Sequence, residues 1–254
     1  MTFQVSRRPL TVGVLTAAAL AIPLTLTGCT GQAPGELGRL QSVLATCPDT
    51  PINVVDLVDG SGTARSADIA RDYLAYIEAD VEKAAVCGGH VSISAFGTNS
   101  VTVPIYEGDL APQGSTDIAK LRRVPDMVDE VMAEVAKNYE PAIELLPQGG
   151  TDVTGLLPLL REAQQLRPDM ALQSTIYTDG LTNQSVNIDR TLSEAEATAL
   201  ADTVTVPQLQ GATLSVVGVG RVAGDPLRSE FIAGLKSFYT RLCVNTGADK
   251  CLVV

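Results

Sequence analysis

Apolar residues follow two alternating patterns along the chain, short extended runs and stripes at helical spacing. The extended runs predict strands at residues 52–58, 91–96, 101–106, 171–177 and 212–219. The stripes predict helices at residues 63–85, 124–139, 152–166, 193–203 and 226–242. Ser193 and Glu196 have the spacing of a capping box, which marks the start of the fourth helix. Gly97 and the two residues after it predict a hairpin between the second and third strands.

The order of these elements indicates an α/β fold. Strands that alternate with helices of this length pair mainly in parallel, and helices then cover both faces of the sheet. We find no internal repeat in the sequence. We therefore expect one doubly wound domain, with a mainly parallel sheet flanked by helices, over residues 46–254.

Residues 1–28 have the pattern of an export signal. Arg7 and Arg8 precede an uncharged apolar run over residues 10–26, which is typical of a secretory signal peptide. The run ends in Leu-Thr-Gly-Cys at Cys29, which resembles the lipobox of bacterial lipoproteins. The resemblance implies that Cys29 is acylated and begins the mature chain, with a plain transmembrane anchor as the alternative. The paired arginines leave general or twin-arginine export open.

The segment after the signal differs in composition from the rest of the chain. Residues 30–42 are rich in Gly, Pro and Gln, so we assign residues 29–45 to the lipidated Cys29 and a flexible tether. Together, the lipid and the tether predict a domain that is exported and anchored to the outer face of the cell membrane.

The mature chain carries an excess of acidic residues. The sequence has 18 basic and 29 acidic residues, and loss of Arg7 and Arg8 with the signal leaves a net charge of about −13. A surface of this sign repels nucleic acid and anionic lipid headgroups. We therefore expect no nucleic-acid partner, and a membrane attachment that depends on the lipid.

Side chains with oxygen atoms cluster at three predicted element ends. Asp59, Ser61 and Thr63 follow the first strand, Thr151 precedes the third helix, and Asp179 follows the strand at residues 171–177. Open α/β sheets bind ligands beyond the C-terminal ends of their strands. Two carboxylates and three hydroxyls suit a hard divalent cation, Mg²⁺ first and Mn²⁺ or Ca²⁺ as alternatives. With two protein charges, such an ion could still accept a carboxylate from a partner.

The same segments resemble motifs of the von Willebrand factor type A (vWA) family. The run from Asp59 to Thr63 is similar to the D-x-S-x-S motif of the metal-ion-dependent adhesion site, with Thr replacing the last Ser. Thr151 and Asp179 match the family's threonine loop and second aspartate, and the resemblance spans about residues 52–239. It implies a Rossmann-like vWA fold.

The resemblance also implies a role for each site residue. Ser61 and Thr63 would ligate the cation directly, and Thr151 would ligate or approach it according to conformational state. Asp59 and Asp179 would act directly or through water. Occupancy of the site can couple to movement of the last helix in this family.

Four cysteines remain once Cys29 is assigned to the lipid. An even number in an exported chain predicts disulfides, and zinc is disfavoured because there is no C-x-x-C pair. The predicted elements place all four at the sheet end opposite the candidate metal site. This favours Cys47 with Cys87 and Cys243 with Cys251, and the two crossed pairings are the alternatives.

Other chemistries are disfavoured. The glycine-rich run at residues 218–224 has the wrong spacing for a dinucleotide loop and follows the last strand, so we expect no nucleotide. A serine hydrolase is disfavoured because Ser61 lies outside a G-x-S-x-G motif. The only histidine, His90, is expected to be an ordinary strand-edge residue far from Ser61. Asp56, on the first strand, is expected to make a polar contact with a neighbour.

These features predict a binding module that is not an enzyme. We expect a lipid-anchored domain that holds a divalent cation and uses it to capture an acidic side chain of a protein partner. The alternative is an assembly or accessory scaffold of the cell envelope, in which the metal is only structural.

Overall fold

A computed structural model describes residues 35–147 and 149–254 of the chain. The predicted signal peptide, Cys29 and the first part of the predicted tether lie outside these residues. None of the helices in these two ranges has the length and apolar character needed to cross a membrane.

The strands are β1 (Ile52–Asp59), β2 (Gly89–Phe96), β3 (Thr102–Leu110), β4 (Ala171–Tyr177), β5 (Asn183–Gln184), β6 (Val186–Asn187), β7 (Thr213–Val217) and β8 (Lys250–Val253). The helices are α1 (Glu36–Leu44), α2 (Ala67–Cys87), α3 (Asp117–Leu121), α4 (Val124–Glu144), α5 (Leu157–Leu166), α6 (Glu194–Asp202) and α7 (Ser229–Asn245). Short 3₁₀ turns lie at Gly62–Ala64, Thr98–Ser100 and Thr154–Leu156.

The main sheet has six strands in the order β3-β2-β1-β4-β7-β8. All neighbouring strands are parallel except β2 and β3, which form the predicted hairpin. Every residue of the central strand β1 is buried, as expected of a strand covered on both faces. This topology confirms the predicted doubly wound, mainly parallel α/β fold.

The two faces of the sheet carry separate apolar cores. One core contains Ile77 of α2 and Val135 of α4. The other contains Leu160 of α5, Ala201 of α6 and Leu235 of α7. The helices therefore hold the sheet from both sides, and the loops at the C-terminal ends of β1 and β4 meet at one edge.

Helix α1 lies where the sequence predicts a flexible tether. Leu40 is only 1 % exposed and packs in the core that α2 shares, and Arg39 forms a salt bridge with Glu82 of α2. The prediction is therefore wrong for residues 36–44, because Leu37, Leu40 and Leu44 have helical spacing and find a packing surface on the domain. The short elements α3, β5, β6 and β8 were also not predicted.

Two disulfides join the described cysteines. Cys47 pairs with Cys87 at a Cα–Cα distance of 5.4 Å, and Cys243 pairs with Cys251 at 6.0 Å. These are the two pairings that the sequence favoured. Both lie at the end of the sheet where its parallel strands begin.

Candidate metal site

The loop after β1 leaves the sheet through a closely packed turn at Gly60. The amide of Gly60 donates to the carbonyl of Phe96 at 2.9 Å, which holds the loop against β2. A Cβ at Gly60 would lie 2.3 Å from a methyl carbon of Leu146. The close packing fixes the direction in which the residues after Gly60 extend.

Asp59 is the buried hydrogen-bonding centre of this loop. Its carboxylate is 2 % exposed and accepts from the Ser61 amide at 2.8 Å and from the Thr178 hydroxyl at 2.6 Å. The hydroxyl oxygens of Ser61 and Thr63 lie 3.3 Å apart. The loop thus places both predicted hydroxyl ligands side by side, next to Asp59.

Asp179 approaches the same point from the end of β4. It is fully buried, and one carboxylate oxygen accepts from the Leu181 amide at 2.9 Å. The other oxygen, Oδ2, is buried without a hydrogen-bond partner among the residues that the structure describes. A buried carboxylate oxygen left unpaired is costly, so this oxygen is available to a ligand.

Thr151 is held in place by the segment that contains β5. Its amide donates to the side-chain oxygen of Asn183 at 3.0 Å, and its carbonyl accepts from the Thr182 hydroxyl at 3.1 Å. Gly150 has a φ of +156°, and a Cβ there would lie 2.3 Å from the Asn183 amide oxygen. Asn183 therefore sets the conformation of the loop that carries Thr151.

A cavity of about 430 Å³ brings the three loops together. Ser61, Thr63 and Thr151 all line it. Asp59 and Asp179 are not among its lining residues, but Asp59 contacts Ser61, and Thr63 neighbours Asp179. The structure thus brings the five predicted residues to one edge of the sheet, with the hydroxyl residues at the cavity and the carboxylates buried.

Burial disfavours the charged forms of the Asp59 and Asp179 carboxylates. Burial and then the charge of Asp179 raise the pKa of Asp59 to about 7, although hydrogen bonds from Thr178 and Ser61 oppose the rise. Burial also raises the pKa of Asp179, against the effects of Thr63 and the Leu181 amide. Neither carboxylate takes part in a salt bridge within the described ranges.

The residues present fit a hard cation. A divalent ion would relieve the repulsion between Asp59 and Asp179 and provide a partner for the free oxygen of Asp179. No group of three or more His, Cys, Asp or Glu side chains suited to a metal occurs in the described part of the chain. A metal here would consequently depend on the hydroxyls of Ser61, Thr63 and Thr151.

Two residues that contact the candidate ligands were not predicted from the sequence. Thr178 donates to Asp59, and Asn183 positions Thr151. The position of Thr178 directly before Asp179 was a usable signal. By contrast, the carboxylate of Asp152 accepts hydrogen bonds from the Gly155 amide and the Ser100 hydroxyl, at 3.0 and 2.8 Å. Asp152 therefore stabilises the turn before α5.

His90 and Asp56 both lie away from this edge. His90, near the start of β2, is buried between Asp109 of β3, at 2.8 Å, and Arg167, at 2.9 Å. Asp56 is fully buried on β1, and neither of its carboxylate oxygens has a hydrogen-bond partner in the described residues. The expected polar contact of Asp56 is therefore wrong, because no hydrogen-bond donor among the described residues reaches its buried carboxylate.

No family model matches the chain, and no curated protein matches it. The solved structure of the conserved hypothetical protein BatB from Bacteroides thetaiotaomicron is 13 % identical, with a TM-score of 0.42 over 80 % of this chain and 89 % of that one. A von Willebrand factor type A structure from Catenulispora acidiphila is 14 % identical, with a TM-score of 0.37 over 81 % of this chain and 39 % of that one. The strand order and pairing of the chain itself define its fold class.

Proposed function

We propose that this chain is a vWA-like binding module that holds a divalent cation and uses it to capture an acidic side chain of a protein partner. One observation carries the proposal. Ser61, Thr63 and Thr151 line one cavity, and two buried carboxylates adjoin them that form no salt bridge within residues 35–147 and 149–254. Hydroxyl and carboxylate oxygens are the ligands that hard divalent cations prefer.

Each residue would have a separate task in this site. Ser61, Thr63 and Thr151 would offer neutral oxygen ligands, while Asp59 and Asp179 would supply the negative charge directly or through water. Thr178 and Asn183 would keep Asp59 and Thr151 in place through the contacts described above. The ion, Mg²⁺ or alternatively Mn²⁺ or Ca²⁺, would supply a positive charge for the partner's carboxylate.

Binding is favoured over catalysis. The described lining of the cavity contains no His, Cys, Lys, Arg, Asp or Glu that could transfer a proton to a substrate. The only histidine of the chain is engaged with Asp109 and Arg167 near the start of β2. We therefore propose that the protein is not an enzyme.

The proposed setting is the outer face of the cell membrane, with Cys29 as the lipid attachment. It rests on the signal and lipobox pattern at residues 1–29. Within the described chain, α1 packs beside α2 and α3, and the Cys47–Cys87 disulfide lies at the sheet end remote from the candidate site. A tether that enters through α1 would leave the cavity free for a partner.

Metal-dependent stability tests the site. A ligand that binds only the folded state stabilises it by about 2.7 kcal/mol at 100 times its dissociation constant, so Mg²⁺ should raise the unfolding temperature of the wild type. Asp59→Ala should abolish this rise, and Asp225→Ala, which removes an exposed carboxylate after β7, should preserve it. A Mg²⁺-dependent rise that persists in Asp59→Ala would refute the assignment.

A chelator separates the binding module from the alternative scaffold. Pull-down from solubilised envelope with the tagged protein should lose its partner in EDTA if the ion bridges the two proteins. A scaffold in which the ion only stiffens the loops should keep its partner. The same experiment with Asp59→Ala in place of EDTA guards against effects of the chelator on other proteins.

A further inference from the structure

The cavity extends well beyond the oxygen ligands. Its volume of about 430 Å³ is in the range of pockets that take a small ligand, about 300–1,000 Å³. An ion and one carboxylate group would leave most of this space unused. The remaining space must accept something else from the partner, or stay filled with water.

The rest of the cavity wall is uncharged. It includes Pro147, Leu181 and Ile188, together with Asn183 and Asn187. No acidic or basic side chain is among the described lining residues. A charged group buried here would lose its hydration without gaining an ion pair, whereas an apolar group would gain from leaving water.

The β5–β6 hairpin connects this wall to the metal loops. Asn183 of β5 accepts from the Thr151 amide, while Asn187 of β6 and Ile188 after it line the same cavity. Ser185 between the strands has a φ of +53°, which makes the reversal tight. One short element thus shapes both the position of Thr151 and the uncharged wall.

We propose that the cavity is a subsite for one apolar side chain that neighbours the metal-binding acidic residue of the partner. The inference rests on the proposed function, because the cation would hold the carboxylate at the hydroxyl side. Charge then separates the two positions: the carboxylate belongs at Ser61, Thr63 and Thr151, and the apolar side chain at Leu181 and Ile188. The preferred partner segment is an acidic residue flanked by a residue such as leucine.

Three blocked tripeptides test this preference by titration calorimetry in the presence of Mg²⁺. They are acetyl-Leu-Glu-Leu-amide, acetyl-Gly-Glu-Gly-amide and acetyl-Leu-Gln-Leu-amide. Burial of one leucine side chain should make the first bind about tenfold or more tightly than the second. Equal affinity of these two peptides would overturn the subsite.

The third peptide separates this failure from failure of the proposed function. If the ion binds the carboxylate, the glutamine peptide should bind much more weakly than its glutamate counterpart, and EDTA should weaken only the latter. Equal binding of the Glu and Gln peptides would overturn the metal-dependent capture itself. Absence of Mg²⁺ binding to the protein alone would overturn both proposals.

A substitution at the lining residue Asn187 tests the location. Asn187 is exposed on β6, directly precedes Ile188 and is not among the proposed ligands. Asn187→Trp should occupy the space proposed for the leucine side chain and reduce the advantage of the leucine peptide to less than about twofold, with unchanged affinity for Mg²⁺ and for the glycine peptide. Asn187→Ala, the matched control, should keep the advantage. The chain has no natural tryptophan, so fluorescence of the variant would also report peptide binding at this position.

An unchanged advantage in Asn187→Trp, together with quenching of its fluorescence by the leucine peptide, would also overturn the proposal. It would mean that the leucine side chains contact the rim and leave the interior of the cavity empty. Circular dichroism of both variants should match the wild type, because an exposed position in a two-residue strand contributes little to the core.

Discussion

Asp56 is a carboxylate in a buried position that does not favour its charged form. It is fully buried on β1, both of its carboxylate oxygens lack hydrogen-bond partners in the described residues, and burial followed by the charge of Asp80 raises its pKa well above the ordinary value. Asp80 itself accepts from Thr175 and Tyr177, at 3.1 and 3.0 Å. Asp56 therefore destabilises the fold when it must ionise.

The sign of the pH effect follows from the raised pKa. The folded state holds the proton of Asp56 more tightly than the unfolded chain, whose aspartate pKa is about 3.9. This contribution to stability is fully present below the unfolded pKa and is lost as pH rises toward the folded pKa. We expect Asp56→Asn to increase the free energy of unfolding by about 1–3 kcal/mol at pH 8 and to change it little near pH 4.

Urea unfolding between pH 4 and pH 8 checks this prediction. Asp129→Asn, at an exposed position on α4, is the control and should shift stability by less than about 0.5 kcal/mol at every pH. A gap between Asp56→Asn and the wild type that stays constant with pH would contradict the assignment, because a shape effect does not titrate.

Thr178 offers a residue-level test of the metal site. Thr178→Val keeps the shape of the side chain and removes the hydroxyl that donates to Asp59. Loss of such an orienting contact typically weakens metal binding about 10–100-fold, and we expect a decrease of that order in Mg²⁺ affinity by calorimetry. Thr175→Val on β4, three residues before Thr178, removes a hydroxyl that donates to Asp80 and should leave Mg²⁺ affinity unchanged. Equal losses in both variants would point to a general effect on β4.

The five candidate ligands could be chosen from the sequence because each follows or precedes a predicted element. Their partners Thr178 and Asn183 could not be assigned roles in this way. The contact from Thr178 to Asp59 spans 119 positions, and that from Asn183 to Thr151 spans 32. The place of Thr178 beside Asp179 marks it as a candidate, but no local pattern at either position specifies the residue that its side chain contacts.

At the scale of elements, the helices and strands that could be predicted are those long enough to show a repeating apolar pattern. Strands such as β1 and β4 and helices such as α2 and α4 carry enough apolar residues to show their period. Strand β8 has four residues and only its last is partly buried, so it depends on pairing with β7 and on the disulfide of Cys251. Helix α1 was concealed by the glycine- and proline-rich residues before it.

Helix α1 should behave as part of the domain. Leu40 is 1 % exposed and packs in the core on the α2 side of the sheet, so Leu40→Ala should cost about 2–5 kcal/mol in the free energy of unfolding. Leu166→Ala, at the end of α5 where the side chain is 74 % exposed, should cost less than about 0.5 kcal/mol. Chemical unfolding monitored by circular dichroism compares the two. A cost for Leu40→Ala as small as that of Leu166→Ala would restore the tether interpretation.

At the scale of the whole molecule, α7 links the candidate site to the opposite end of the sheet. The hydroxyl of Tyr239 donates to the carbonyl of Gly180, directly after Asp179, at 2.9 Å. Four residues beyond Tyr239, Cys243 is bonded to Cys251 of β8, and β8 pairs with β7. The helix is therefore attached to the site near its middle and to the sheet at its end.

This double attachment predicts that α7 stays in place when the cation binds. Disulfides span Cα–Cα distances of about 4.4–6.8 Å, so Cys243, now 6.0 Å from Cys251, can move only slightly relative to β8. A slide by one helical turn, about 5.4 Å, would break the bond or pull β8 from the sheet.

Hydrogen exchange over α7 should thus be the same with and without Mg²⁺ in the intact protein, while the loops around Ser61 and Thr151 become more protected. The comparison is the double variant Cys243→Ala and Cys251→Ala, which removes the constraint. If the intact protein showed a metal-dependent change along α7 and the variant did not, the disulfide would not be acting as a restraint. The site would then be coupled to the far end of the sheet despite the disulfide.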